Sequence, residues 1–111
     1  MKKVFFIVIT LMSCYAYSGN PTVSGVGVSK VYAGYSHNGV FFDISEDENR
    51  NPALCVAGLP RTFVADPSIN NVEHLLSVLL YAHASGKIVE VEFYTDQCFQ
   101  GHRVVRKVAV Y

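Results

Sequence analysis

Apolar and polar residues alternate with a period of two over most of this chain, and one segment carries the 3.6-residue period of a helix. The cleanest alternation runs from Ile88 to Tyr94 (IVEVEFY), with Val89, Val91 and Phe93 facing inward and Glu90 and Glu92 outward. Upstream, Thr22 to Tyr35 is rich in β-branched and aromatic residues and reads as a first strand. Gly25 and Gly27 weaken that strand and mark a bulge or a sharp bend, as barrels need. Asn38-Gly39 then predicts a hairpin turn, with Val40 to Ile44 (VFFDI) returning. Its neighbours Phe41 and Phe42 cannot both face one core, because successive strand residues point to opposite faces. The run from Ser45 to Pro52 (SEDENRNP) reads as a solvated acidic loop. Ala53 to Ala57 predicts a short third strand that carries Cys55. Gly58-Leu59-Pro60 turns the chain, and Arg61 to Ala65 continues extended until Asp66-Pro67 stops it. A loop over Thr95 to His102 precedes a last strand, Val104 to Tyr111, alternating around Arg106 and Lys107.

The helix lies between these strands. Val72, Leu75, Leu76, Leu79, Leu80 and His83 follow helical spacing, Ser68 or Asn70 is available as N-cap, and Gly86 is a natural stop. The predicted order is three strands, one helix, two strands. That is the order of the OB-fold, a five-stranded Greek-key barrel, with Leu75, Leu76, Leu79 and Leu80 plugging the barrel end. The competing architecture is an α+β sandwich with the helix lying across an antiparallel sheet.

The first residues do not belong to that pattern. Met1-Lys2-Lys3 is followed by an unbroken apolar run, Val4 to Met12, and then by small and polar residues to Gly19. The run is short of the roughly 20 apolar residues that a spanning helix needs, and it suits a signal peptide over residues 1–18. Cleavage fits after Ser18 or after Ala16, and a competing reading makes Leu11-Met12-Ser13-Cys14 a lipoprotein box with Cys14 lipidated. A secreted or periplasmic location follows. What remains, residues 19–111, is the length of one domain, small enough to need extra stabilisation. Cys14 belongs to the signal, which leaves Cys55 and Cys98 as an even pair in an oxidising compartment and predicts a disulfide.

Charge narrows the partners. After the signal, seven Lys and Arg stand against nine Asp and Glu, a net charge of −2. Only Arg103, Arg106 and Lys107 cluster, so no basic field is present for nucleic acid. No catalytic constellation emerges, and an enzyme is not expected. Cys98 and His102 have the spacing of a nucleophile and a base, but the disulfide consumes Cys98. His74 and His83 are nine residues apart, about 900° of helix rotation, so they fall on opposite faces and share no metal. His37 and His102 read as solvated surface histidines. Glu46, Asp47 and Glu48 lack the ligand spacing of a calcium loop. No metal site or cofactor is expected. The unusual feature is tyrosine without tryptophan: Tyr32, Tyr35, Tyr81, Tyr94 and Tyr111 exceed what so small a core needs. Tyrosine pairs a flat apolar face with a hydroxyl, a combination that suits sugars and protein surfaces. Tyr35, Ser36, His37 and Asn38 set four hydrogen-bonding side chains at one hairpin tip. OB-folds bind ligands with this first hairpin loop and with the loop between strands four and five, here Thr95 to His102.

The run from Val31 to Cys55, the helix ending in Leu80-Tyr81-Ala82-His83-Ala84-Ser85-Gly86-Lys87 and the strand Ile88 to Tyr94 resemble the binding (B) subunits of bacterial AB5 toxins, in the subtilase-cytotoxin and pertussis-like group. The resemblance covers most of the exported chain and is diffuse. It implies an OB-fold, a homopentamer ringed around its helices, recognition of sialylated or related host glycans, and a separate catalytic A subunit docked on the ring. Members of that group carry more cysteine near the C-terminus, and they set a serine close to an aromatic residue at the sugar site. Tyr35 and Ser36 are the nearest match in this chain. The expected function is therefore a secreted, non-enzymatic glycan-binding subunit with its site at Tyr35, Ser36, His37 and Asn38. The alternative is a monomeric exported protein-binding module, inhibitor-like or immunity-like, on the same fold.

Overall fold

The computed structural model describes residues 19–111; the segment 1–18 read as a signal peptide, its expected cleavage positions and Cys14 lie outside the described residues. Alternation becomes a six-stranded sheet. Its strands are β1 (Thr22–Val26), β2 (Val28–Tyr32), β3 (Val40–Ile44), β4 (Thr62–Ala65), β5 (Val89–Phe99) and β6 (His102–Val110), with α1 (Val72–Ser85) between β4 and β5. The order across the sheet is β1-β5-β6-β4-β3-β2. All pairings are antiparallel except β4 with β6, where Phe63 and Val64 lie opposite Arg103 and Val104. The chain is mainly β with one helix, as its patterning predicts, and among the described residues no helix is long and apolar enough to cross a membrane.

The strands differ from the five expected in number and in identity, for two physical reasons. The first strand bends: Gly25 adopts φ 71°, which a side chain would resist, and the register shifts between Val23 and Val26. Beyond Gly27 the chain leaves β5 and pairs with β3, so one run of sequence supplies both outermost strands of the sheet. The second reason is Ala53 to Ala57, which is turn rather than strand. The Asn51 side chain captures Cys55 both ways, its Oδ1 accepting from the Cys55 N–H at 2.9 Å and its Nδ2 donating to the Cys55 carbonyl at 2.9 Å. Leu54 sits at φ 56°, outside strand geometry. Strand β4, over Thr62–Ala65, is the segment expected only as an extended continuation.

Two further differences follow from local chemistry. The expected loop Thr95 to His102 is instead hairpin: β5 continues to Phe99, and Gln100-Gly101, both with positive φ, form a two-residue turn into β6. The helix is capped by Asn71, whose Oδ1 accepts from the His74 N–H at 3.1 Å, and not by Ser68 or Asn70. Those two are engaged in the preceding turn. Asp66 Oδ1 accepts from the Ser68 N–H and hydroxyl, and Asn70 accepts from the Asp66 N–H and donates to the Val105 carbonyl. Gly86 ends the helix in the left-handed conformation, as expected.

The sheet buries two clusters. On the inner face Phe42, Phe63, Phe93, Val91 and Ile44 meet Leu79 and Ala82 of α1, with Leu75, Leu76 and Val72 packed partly against them. Each fully buried apolar side chain here contributes roughly 1.5–3 kcal/mol. Leu80, expected in the plug, points away and is exposed. On the outer face Phe41, Val64 and Val104 form a separate cluster flanked by Tyr32, Tyr94 and Phe99. Phe41 and Phe42 thus serve different clusters, as strand geometry demands. The Cys55–Cys98 disulfide ties the 51–60 loop to β5.

Candidate functional site

The outer cluster continues into the tip between β2 and β3. The expected Asn-Gly turn is part of a longer connection: Asn38 has φ 65° and donates its N–H to the Tyr35 carbonyl at 2.9 Å. Gly39 is needed for space. A Cβ there would lie 2.7 Å from the Phe99 ring and 3.0 Å from His37 Nδ1. That close approach lets the tip fold down onto the β5–β6 hairpin.

Aromatic rings then stack in sequence. Tyr35 lies over His37 at 5.1 Å and 19°, and meets Phe41 edge-on at 5.2 Å. His37 meets the edges of Phe41 at 5.7 Å and of Phe99 at 5.1 Å, and His102 packs on Phe41 at 5.0 Å. Tyr32 stacks on Phe41 at 5.4 Å, with the Lys30 ammonium 4.7 Å from the Tyr32 ring centre. Edge-to-face and offset pairs of this kind each add about 0.5–1.5 kcal/mol beyond area burial. The result is a fixed aromatic shelf whose upper ring, Tyr35, remains 45% exposed.

The polar atoms on the shelf are also set. His37 Nδ1 accepts from the Gly39 N–H at 3.0 Å, so the neutral ring carries its proton on Nε2 and presents a donor outward. His102 Nδ1 faces the Gln100 carbonyl at 2.8 Å and must donate, which makes Nε2 the acceptor in the neutral ring. Ser36 and Asn38 are exposed, and among the described residues their side chains have no hydrogen-bond partner. Behind Phe41, Asp43 Oδ1 accepts from the Thr62 hydroxyl at 2.9 Å and from the Tyr32 hydroxyl at 3.4 Å. Burial, and then the Asp43 charge, raise the Tyr32 phenol above its ordinary pKa. One edge of the shelf is therefore apolar and aromatic, and the other offers donors and acceptors.

The four expected site residues thus sit together at one tip, and Phe41, Phe99 and His102 join them from three different strands. Phe41 and Phe99 escape a sequence reading because rings that pack on them are distant in the chain, His102 lying 61 positions from Phe41 and His37 lying 62 from Phe99. The tip touches the end of β5 through the His37–Phe99 contact. The remaining tyrosines divide: Tyr94 belongs to the outer cluster, whereas Tyr81 and Tyr111 are exposed elsewhere.

Other candidates resolve differently. Cys98 is bonded to Cys55, so it holds no thiol for His102 to activate. His83 Nδ1 contacts the Val28 carbonyl at 2.9 Å, while His74 stands in an open groove near the start of α1. Among the described residues no group of three or more His, Cys, Asp or Glu is placed to hold a metal ion. The acidic loop is largely exposed, as expected, and carries two ion pairs: Glu48 forks onto Arg50 at 2.8 Å, and Asp47 pairs with Arg61 at 2.7 Å. Arg103 is not part of a surface basic cluster. It is buried, with its guanidinium 4.2 Å from the Phe63 ring centre. It donates to the carbonyls of Glu48 at 2.6 Å, Arg50 at 2.9 Å, Leu59 at 2.9 Å and Thr62 at 3.4 Å. Desolvation lowers its pKa, partly offset by the Glu48 charge. Beside it lies a cavity of about 100 Å³. No protein-family model matches the chain, and no curated protein matches it either.

Proposed function

We propose that this chain is an exported, non-enzymatic glycan-binding subunit of AB5-toxin type, self-assembling into a homopentamer that carries a catalytic A subunit to host cells. Taking β1 and β2 as one strand bent at Gly25–Gly27 leaves five strands with the helix between the third and fourth, the order of an OB-fold. The tip then corresponds to the first hairpin loop and Gln100-Gly101 to the turn between strands four and five, the two loops with which that fold grips ligands. The observation that carries the reading is the Tyr35–His37 stack, a flat ring held rigid beside exposed hydroxyl and amide groups. A sugar needs that pair of surfaces: C–H groups pack on the ring, and hydroxyls bond Ser36, Asn38 and His37 Nε2. Sialylated host glycans are the expected class, following the resemblance to the toxin subunits.

The test is a glycan-array screen followed by titration calorimetry on the wild type and Tyr35→Ala. Tyr35→Ala is expected to abolish binding while the melting temperature stays nearly unchanged. Undiminished binding by the variant, or binding lost only together with the fold, overturns the site.

A further inference from the structure

We infer that the Cys55–Cys98 disulfide is a redox latch on the aromatic shelf: a dithiol reductant that opens it frees the 51–60 loop and slackens the tip at Tyr35 to Gly39, while the inner face stays folded. The inference rests on the site proposed above and assigns it a control. Its basis is the way the end of the β5–β6 hairpin is held. The ladder between those strands runs from Val89–Val110 to Phe93–Val105 and resumes only at Cys98–Arg103 and Phe99–His102. Between the two stretches β5 spends four residues, 94–97, where β6 spends one, Val104. A bulge leaves its extra residues out of the ladder and bends the strand. The last two pairs and the Gln100-Gly101 turn therefore hang beyond a break in pairing. That end props the shelf. Phe99 meets His37 at 5.1 Å and lies against Gly39, and His102 packs on Phe41 at 5.0 Å.

The loop holds that end from outside the ladder. Cys98 is the first paired residue past the break, and its bond to Cys55 is the covalent tie. Two weaker ties accompany it. The Ala57 N–H donates to the Gly101 carbonyl at 2.9 Å, and Val56 packs so close to Gly101 that a Cβ there would lie 3.1 Å from its Cγ2. Asn51 holds Cys55 only from within the loop. The inner cluster, by contrast, includes no residue from 45 to 61. The two sulfurs differ in access, since Cys98 is exposed and Cys55 only 5% exposed. Reduction therefore starts at Cys98. A thiolate of the reductant attacks Cys98 Sγ and forms a mixed disulfide, while Cys55 Sγ leaves with the bonding pair and takes up a proton. The reductant's second thiolate then attacks its own sulfur in that mixed disulfide and releases Cys98, which is protonated in turn. Two electrons pass: one protein S–S bond becomes two thiols, and the dithiol becomes a disulfide. The hairpin end then keeps two ladder pairs and one backbone bond to the loop, and the rings it props lose their fixed support.

Amide hydrogen exchange by NMR, on the oxidised protein before and after dithiothreitol, tests this. Reduction is expected to go to completion without denaturant. Exchange is expected to speed up at least about 10-fold at Asn38, Gly39 and Phe99, while Phe42, Phe63 and Val91 keep their protection. The variant Cys55→Ser/Cys98→Ser is expected to give the reduced pattern with no reagent present. A bond that resists dithiothreitol in the folded protein, or tip amides that reduction leaves unchanged, would overturn the inference. So would loss of protection across the whole chain, because the bond would then be a staple for the fold and not a latch on the shelf. The glycan selected on the array is expected to bind the reduced protein at least about 10-fold more weakly. Equal affinity in both states would overturn control of the site. If no glycan binds either state, the sugar reading fails, and exchange at the tip still decides whether the latch exists.

Discussion

The two faces of the sheet use the same residue types to opposite ends. On the inner face Phe42, Phe63 and Phe93 are fully buried and covered twice, by Leu79 and Ala82 of α1 and by the 45–61 loop that Arg103 fastens over Phe63 and Phe93. On the outer face Phe41, Val64 and Val104 are covered by flat side chains, those of Tyr32, Tyr94 and Phe99 together with the Tyr35, His37 and His102 rings on Phe41, and no residue of α1 belongs to that cluster. An aromatic ring under a helix contributes by leaving water. A ring covered by other rings contributes less, but it keeps an edge or a face available to a ligand. The outer face accounts for Tyr32, Tyr35 and Tyr94, which pack as rings upon its cluster, and not for Tyr81 and Tyr111.

The comparison breaks most sharply at its centres. Phe63→Ala empties a site closed on every side and is expected to lower stability by about 3–5 kcal/mol in denaturant titration. Arg103→Met comes next, at about 2 kcal/mol: the substitution keeps the packing volume near Phe63 but takes the Arg103 donor from the part-buried carbonyls of Glu48 and Leu59 and the buried one of Thr62. Phe41→Ala is expected to lower stability by about 2 kcal/mol, because solvent and neighbouring rings can fill the gap. If Phe41→Ala were as severe as Phe63→Ala, the outer face would be a second core and not a shelf. Tyr35→Ala should change stability by less than about 1 kcal/mol and yet remove the glycan binding proposed for the tip, an outcome that would separate the two faces by function as well as by energy.

What was legible in the sequence follows the same division. The inner face could be read because its determinants are local: alternation in Val89, Val91 and Phe93, helical spacing through Leu79, and the Gly86 stop. The two spare cysteines identified their own bond. The misreadings arose where a distant group overrides local pattern. Ala53 to Ala57 looks like a strand by composition, but the Asn51 side chain, the disulfide and the Arg103 cage hold it in turns. Thr95 to Gln97 is polar enough to read as a loop, although pairing with β6 carries β5 on to Phe99. Arg103 reads only as one of three clustered cations because nothing near it in sequence reveals the four carbonyls it donates to. At the candidate site, Tyr35 to Asn38 were legible as a polar hairpin tip, while Phe99 and His102 reach it only through the sheet.

The smallest predicted effect probes the loop that closes the inner face. Glu48 accepts from Arg50 Nε at 2.8 Å, from Arg50 Nη2 at 2.9 Å and from the Arg50 N–H at 2.9 Å. The side-chain bonds from Arg50 hold its carboxyl below the ordinary carboxylate pKa, against the opposing effect of burial. A folded value below the unfolded one means that the unfolded chain takes up the proton first. The contribution of Glu48 is therefore complete above its ordinary pKa of about 4.3 and is lost as pH falls through the folded value. Arg50 is half exposed, so screening limits the effect to about 0.5 kcal/mol. Melting curves of the wild type and Glu48→Gln should differ slightly at pH 7, and the gap should close as pH is lowered below about 4. A gap that persists in acid would mean that the carboxylate charge contributes nothing to closure. The inner face would then owe its second cover to the Arg103 carbonyl cage alone, and the difference between the two faces would rest on one buried guanidinium.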